Sequence, residues 1–415
     1  MKILLLTQWF EPEPTFKGLL FAKELASRGH QVEVLTGFPN YPGGKLYPRY
    51  KIRPWLREVI DGISVTRVAL YPSHDKSGIR RALNYLSFAA SAAILGTVLV
   101  NKPDVIYVYN PPATVGLAGA VLSFFRRAPF VFDICDLWPD TVAASGMLAH
   151  PLAISILDRL CSFIYRRAGH ITVVSPGFHK RLLQRGVPAS KVDMIYNWCD
   201  EAALRQTPKS PQLRQKLGIP AGFLVMFAGN MGTAQGLDAV LDAAAISATA
   251  SPHIHFAFVG GGVDCGRLEA RAADLGLANV TFLPLQPMSA MGGILALADV
   301  LLVHLRDHEL FTITIPSKAQ AYMAVGKPIL MAVRGDSTSL INDSGAGRVC
   351  EPENPQAIAG AIAQLSTMPP SELAALGTAG RRYYDQKISL SAGVSRFEAI
   401  FARLCDRTVE ASRRS

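Results

Sequence analysis

Phe227-Ala228-Gly229-Asn230-Met231-Gly232-Thr233-Ala234-Gln235-Gly236-Leu237-Asp238 joins two stretches of different character. The apolar run Phe223-Leu224-Val225-Met226 precedes it, and an alanine-rich run from Ala239 to Ala248 follows. That order reads as strand, glycine turn, helix, placed in the middle of the chain. Such a turn bares backbone N–H groups and aims a helix N-terminus at whatever lies above it, an arrangement that attracts phosphate. Its glycines permit φ > 0 and let a ligand approach the backbone. The same pattern also serves as an ordinary strand-to-helix turn, so its surroundings decide the reading.

Working outward, strands and helices alternate on both sides. In the first half the runs Ile3–Thr7, Val32–Thr36, Ser64–Val68, Val105–Tyr109, Phe130–Ile134, Ile171–Val174 and Val192–Ile195 read as strands. Helical patterns lie between them, among them 18–28, 79–100, 114–126 and 152–167. The second half repeats the scheme, with strands at Phe223–Ala228, His255–Val259, Val280–Leu283, Val300–Val303, Ile329–Ala332 and Gly347–Cys350. This alternation predicts an α/β protein of two doubly wound, Rossmann-like domains facing a central cleft. The domains expected are 1–200 and 201–388, with 199–220 as linker and a C-terminal helix at about 389–412 joining the first.

At 415 residues, 49% hydrophobic and 18% charged, the chain is long and apolar enough for two cores and is not a disordered one. The six cysteines show no metal or redox spacing, which reads as reduced thiols in a cytoplasmic protein. Met1-Lys2-Ile3-Leu4-Leu5-Leu6 is too short an apolar run for a signal peptide and reads as a first strand. Residues 1–200 carry 23 Lys+Arg against 14 Asp+Glu, and residues 201–415 carry 19 against 18. The basic character therefore sits in the first half and points to an anionic partner there.

Ligands of such folds bind at loops that follow strands, so those loops hold the candidate residues. After the first strand, Lys17 and Gly18 either face an acceptor or simply open a helix. No Gly-x-Gly-x-x-Gly follows that strand, which argues against a dinucleotide site. Asn110 follows the fourth strand. Asp136 follows the fifth, where a carboxylate can orient or deprotonate a hydroxyl or else cap a turn. Trp138 beside it offers a face for stacking a sugar, and Asp133 reads as structural. In the second half Gly260-Gly261-Gly262 bares backbone after a strand. Pro316-Ser317-Lys318 opens a helix whose N–H groups, together with the ammonium, suit an anion.

Two stretches point to a surface. Ala82 to Val100 carries no charge and is either buried against the sheet or partly exposed to a membrane surface. Lys45 to Arg57 interleaves basic residues with Tyr47, Tyr50 and Trp55 and reads as an exposed loop for phosphates or lipid headgroups.

Together these residues resemble the retaining family 4 glycosyltransferases of GT-B fold, and among them the bacterial O-antigen and capsule subgroup that includes acetylfucosamine transferases. The likeness runs over nearly the whole chain. It is carried by Gly29-His30-Gln31-Val32, Thr36-Gly37-Phe38-Pro39-Asn40-Tyr41-Pro42, Asp136-Leu137-Trp138-Pro139, Ser175-Pro176-Gly177-Phe178, Asn197-Trp198, Ala228-Gly229-Asn230, Gln235-Gly236-Leu237, Pro316-Ser317-Lys318, Tyr322-Met323-Ala324 and Gly326-Lys327-Pro328.

The resemblance implies transfer of a sugar from a UDP-sugar to a polyprenyl-diphosphate-linked glycan, at the inner face of the cell membrane, with retention. It implies catalytic roles for Asp136, Asn110 and Lys318. Donor contacts would come from Gly229, Asn230, Gln235, Gly236, Gly261, Pro316, Ser317, Lys318 and Glu309, and acceptor contacts from Lys17, Gly18, Trp138 and Tyr41. The sequence departs from the family at five positions. Asn230 and Gln235 stand where many members have Arg and Lys. Ile313 and Ala321 stand where many have two Glu, and Glu309 is the substitute expected for ribose. Asn110 stands where many members place a donor-contacting His. With no Asp-x-Asp pair, neither a metal nor any other cofactor is expected, and nucleic acid is not an expected partner. A nucleotide-sugar epimerase of the same shape and a decayed, purely binding protein are the alternative readings.

Overall fold

The computed structural model describes residues 1–74, 77–144 and 150–414. The chain divides into two compact units, one of residues 1–196 together with those from Gly393 on, the other of Asn197–Ala392.

In chain order the first unit holds β1 (Lys2–Leu6), α1 (Leu19–Ser27), β2 (Gln31–Gly37), β3 (Trp55–Ile60), β4 (Ile63–Val68), α2 (Gly78–Leu99), β5 (Val105–Asn110) and α3 (Val115–Arg126). Then come β6 (Phe130–Ile134), α4 (Asp140–Ala144), α5 (Pro151–Arg167), β7 (His170–Val173), α6 (Pro176–Gln184) and β8 (Val192–Met194). Its sheet runs β3-β4-β2-β1-β5-β6-β7-β8, and only the edge pair β3–β4 is antiparallel. Every residue of β5 and β6 is buried, as strands covered by helices on both faces must be.

The second unit opens with α7 (Pro211–Lys216), β9 (Phe223–Asn230), α8 (Asp238–Ala250), β10 (Ile254–Gly261), α9 (Cys265–Asp274), β11 (Val280–Leu283), α10 (Met288–Ala296) and β12 (Val300–His304). It continues through α11 (Glu309–Thr312), α12 (Ser317–Ala324), β13 (Ile329–Ala332), α13 (Asp336–Ser344), β14 (Gly347–Val349), α14 (Pro355–Ser366) and α15 (Pro370–Tyr383). Its sheet is wholly parallel, ordered β11-β10-β9-β12-β13-β14. Val225, Phe227, Val240, Phe258 and Ile362 fill one side of its core. Both sheets reverse order beside their first strand, β1 and β9, and at such switch points the carboxyl ends of strands leave room for a ligand.

The last helix, α16 (Leu390–Arg414), places Phe397 against Phe21 and Tyr107 of the first unit, and Glu398 takes Arg28 and His30. Beneath it lies a buried ion pair. Lys17 Nζ donates to Asp133 Oδ2 at 2.7 Å, with both side chains wholly out of solvent. Tyr107 OH also donates to Oδ2 and Thr172 Oγ1 to Oδ1, each at 2.6 Å. Burial works against the Lys17 charge, and the Asp133 carboxylate reverses that and holds the ammonium above its ordinary value.

The stretch read as an exposed loop at 45–57 ends otherwise. Trp55–Ile60 forms β3, paired residue for residue with β4. Its two tyrosines turn inward while Trp55 stays exposed: Tyr47 OH donates to the Tyr41 carbonyl, and Tyr50 lies 4.8 Å beneath the buried Arg67 guanidinium. The basic composition hid a half-buried strand of alternating exposure.

Replacing Lys17 by Met leaves Asp133 charged and unmatched in the core. The expected loss is about 3–5 kcal/mol in urea unfolding of the first unit. Adding Asp133→Asn to Lys17→Met should recover part of it.

Candidate functional site

The second unit brings the glycine turn and the start of α12 together. Tyr322 OH accepts the Ala228 N–H at 2.8 Å and donates to the Ala228 carbonyl at 3.2 Å. This hydroxyl fastens α12 to the end of β9. Lys318 lies four residues earlier, on the same helix face. Its Nζ sits 4.0 Å from the centroid of the Phe227 ring, and a Cβ on Gly229 would stand 2.7 Å from its Cε. Gly229 has φ 131°, a conformation open to glycine.

The Lys318 ammonium is pressed mostly out of water, and burial pulls it down from 10.5 to about 8. No carboxylate among the described residues pairs with it. A cation held so is costly unless a ligand supplies the opposite charge. Pro316 precedes α12 without any side-chain cap, and Ser317 is exposed.

The turn itself is built on main chain. Within the glycine turn Thr233–Gln235 form one 3₁₀ turn, and Gly236 has φ 56°. Gln235 differs from its expected outward donor role. Its Oε1 accepts the Gly232 N–H at 3.0 Å, so its side chain folds back on the turn. The second glycine loop is zipped to the first. Met231 N–H donates to Gly261 O at 2.7 Å, and a Cβ on Gly260 would meet Gly229 O at 2.2 Å. A Cβ on Gly261 would meet nothing within 4 Å, and Asn230 is exposed beside it. Glu309 is exposed in the first turn of α11.

Two residues that the sequence reading did not single out complete the turn. His304, buried at the end of β12, bonds through Nδ1 to Gln235 O at 2.6 Å, while its Nε2 receives the Glu353 N–H at 3.0 Å. That pair of partners selects the neutral Nδ1–H tautomer, and burial lowers the ring's pKa to match. Arg306 follows. Its N–H donates to Ala234 O at 3.0 Å, and its Cγ lies 2.9 Å from where a Cβ on Gly236 would stand. Its side chain is exposed and meets no carboxylate among the described residues. The signal was present, because Arg306 stands just past a strand's carboxyl end.

In the first unit the expected acceptor residues fare differently. Lys17 is wholly buried and committed to Asp133. Gly18 is buried where a Cβ would strike Thr15 and Glu11, and Glu11 Oε2 itself accepts the Leu19 N–H at 3.0 Å. The α1 start is thus closed by its own carboxylate. Trp138 is buried, tilted against Tyr85, and its Nε1 donates to Asp136 Oδ2 at 3.0 Å. It positions Asp136 rather than offering an open face. Burial raises the Asp136 pKa, against the lowering hydrogen bonds from Thr141 and Trp138. Asn110 Nδ2 donates to the Asp136 carbonyl at 3.1 Å, while its buried Oδ1 has no partner among the described residues.

Tyr41 is half-buried and stacked on Trp9 at 4.4 Å. Below it lies Glu13, another residue the sequence reading passed over. Its carboxylate takes the N–H groups of Phe10, Asn40 and Tyr41, yet burial still pushes it up to about 7. Among the described residues no three His, Cys, Asp or Glu side chains cluster as a metal site.

Two family profiles match the chain. Residues 19–198 match the glycosyl transferase 4-like domain, and residues 209–383 match the glycosyl transferases group 1. WcaI of Escherichia coli K12, described as a colanic acid biosynthesis glycosyl transferase, is 28% identical over 384 residues, covering 89% of this chain and 93% of WcaI. WbjE of Pseudomonas aeruginosa, described as a glycosyltransferase, is 25% identical over 336 residues, covering 79% and 82%. HepE of Anabaena, solved with UDP-glucose, superposes with a TM-score of 0.69 at 19% identity, over 97% of this chain and all of that one. That likeness concerns the fold.

The site cost of Lys318 can be measured without any substrate. Lys318→Met should stabilise the ligand-free protein at pH 7, by up to about 3 kcal/mol given the fall from 10.5 to about 8. The unfolded lysine holds its proton to higher pH than the folded one. The gain should therefore be full below about 8 and shrink as pH climbs towards 10.5, as read by urea unfolding across that range.

Proposed function

This chain belongs to the glycosyltransferases of GT-B fold, and on that premise we propose that it moves a sugar from a UDP-sugar to a lipid-linked glycan, with retention. The observation that supports the donor is Lys318, a cation largely out of water beside bared backbone, with no counter-charge among the described residues. The nucleoside diphosphate would lie against Gly229, Asn230 and Gly261, with the start of α12 at Pro316 and Ser317 facing its phosphates. Arg306 supplies the second cation that Asn230 and Gln235 lack. Glu309 is assigned to the ribose.

In the reaction the acceptor hydroxyl oxygen bonds to the anomeric carbon as the bond from that carbon to the diphosphate breaks. The developing charge on the leaving oxygen is met by Lys318 and the helix start. Asp136, raised by burial and held by Trp138, orients or deprotonates the hydroxyl, with Asn110 fixing its main chain. Tyr41 remains assigned to the acceptor. The acceptor is read as a polyprenyl-diphosphate-linked glycan because WcaI is described as a colanic acid enzyme. Such an acceptor places the protein peripherally on the inner membrane face. No metal or nucleic acid enters this reading.

A panel of UDP-sugars tests it. UDP should raise the unfolding temperature of the protein by mass action, and the protection should vanish in Lys318→Met. Absence of protection in the unaltered protein would favour a decayed binding protein. A new UDP-sugar formed without acceptor would favour an epimerase. Affinity for UDP should fall as pH rises through about 8, where Lys318 loses its proton.

Asp136→Asn should leave UDP protection intact and cut turnover by about 10²–10⁴-fold. Arg306→Gln should weaken UDP roughly tenfold but leave uridine unaffected, and Arg306→Lys should restore part of the difference.

A further inference from the structure

We propose that the outward faces of α2 and α3 form a seat that lies flat in the headgroup–acyl boundary of an anionic bilayer. The inference rests in part on the reading of a lipid-linked acceptor, but its geometry belongs to the first unit alone. Helix α2 is 22 residues long and apolar enough to cross a membrane, yet one face of it is already committed. Asn84 accepts from Gln8 Nε2 at 2.6 Å and donates to the Tyr71 carbonyl at 2.6 Å and to Asn40 Oδ1 at 3.2 Å. At Gly96 a Cβ would stand 2.7 Å from a Leu35 methyl and 3.0 Å from one of Leu122. Spanning would tear these contacts out of the unit, so the helix can only lie on a surface.

The opposite face is what a bilayer would meet. Ile79, Leu83, Leu86, Ile94 and Val98 recur at helical spacing along it, and Ile94 and Val98 are 68% and 80% exposed. A helix apolar on both faces needs an apolar neighbour on both. At its C-terminal end α3 adds Phe124 and Phe125, 68% and 65% exposed. The two helix ends are joined, since Arg126 donates to the Val100 carbonyl at 2.6 Å.

Charge selects the occupant. Neither α2 nor α3 contains a carboxylate. Arg80 and Arg81 stand at one end, and Arg57, Lys102, Arg126 and Arg127 at the other. Glu33 and Asp104 also stand at that end, accepting from Asn101 and from the Lys2 N–H, and leave the cations in excess there. An apolar stripe rimmed by cations at both ends fits anionic lipid better than a second copy of this surface, which would set the same charges against each other.

The test is flotation of the full chain with vesicles. The unaltered protein should float with mixed phosphatidylcholine–phosphatidylglycerol vesicles and far less with phosphatidylcholine alone. Ile94→Gln with Val98→Gln, both at exposed positions, should lower partition roughly tenfold or more with unfolding temperature and UDP protection unchanged. Phe124→Ser with Phe125→Ser should do the same. Three outcomes would overturn the proposal: no flotation of the unaltered protein, equal flotation of the variants, or self-association that the variants abolish. UDP protection measured on the same samples separates the two readings. Flotation without protection sinks the donor assignment alone, and protection without flotation sinks the seat alone.

Discussion

Strand β9 stays paired with β10 as far as Asn230, but its pairing with β12 ends at Met226, and past that point the Tyr322 hydroxyl takes both the N–H and the carbonyl of Ala228. Everything distinctive about the second unit's site follows from that clamp. It sets the angle at which α12 meets the glycine turn, so that Lys318 rests on Phe227 and against Gly229. A hydroxyl can both donate and accept, and the position needs both. Phenylalanine would pack there as well and leave two buried polar groups without partners.

Lys17 and Lys318, both drawn largely out of water, make a contrast. Lys17 lies just before α1, the helix that follows β1, and Lys318 lies in the first turn of α12, which follows β12 and α11. Lys17 has a carboxylate at 2.7 Å and two further donors sharing it, so its charge is spent within the core. Lys318 has an aromatic face and, among the described residues, no carboxylate. The first unit likewise closes the start of α1 with Glu11, while the second leaves the start of α12 uncapped. Similar architecture thus yields one helix start that stabilises and one left open to an anion.

The sequence made most of this readable, and its failures have one cause. Period and punctuation fixed the strands on both sides of Phe223–Asn230 because parallel strands are continuous apolar runs. The edge strand Trp55–Ile60 escaped because an edge alternates, and its outward residues looked like loop chemistry. Lys17 and Trp138 were misread because a sequence shows which group is present and not what it touches. Each had a partner far away in the chain or turned inward, Asp133 for one and Asp136 for the other. Arg306, His304 and Glu13 were missed for the converse reason, since their neighbours Gly236, Gln235 and Tyr41 are brought to them by folding.

The helix that begins at Leu390 has a consequence for how this protein is made. Its Phe397 covers Phe21 and Tyr107, so the unit that leaves the ribosome first cannot be sealed until long after its own strands have been translated. In the interval its apolar groove stays open while the other unit is synthesised and folds. A fragment ending at Tyr196 would keep that groove permanently uncovered, and chaperone demand should fall on the earlier-made half.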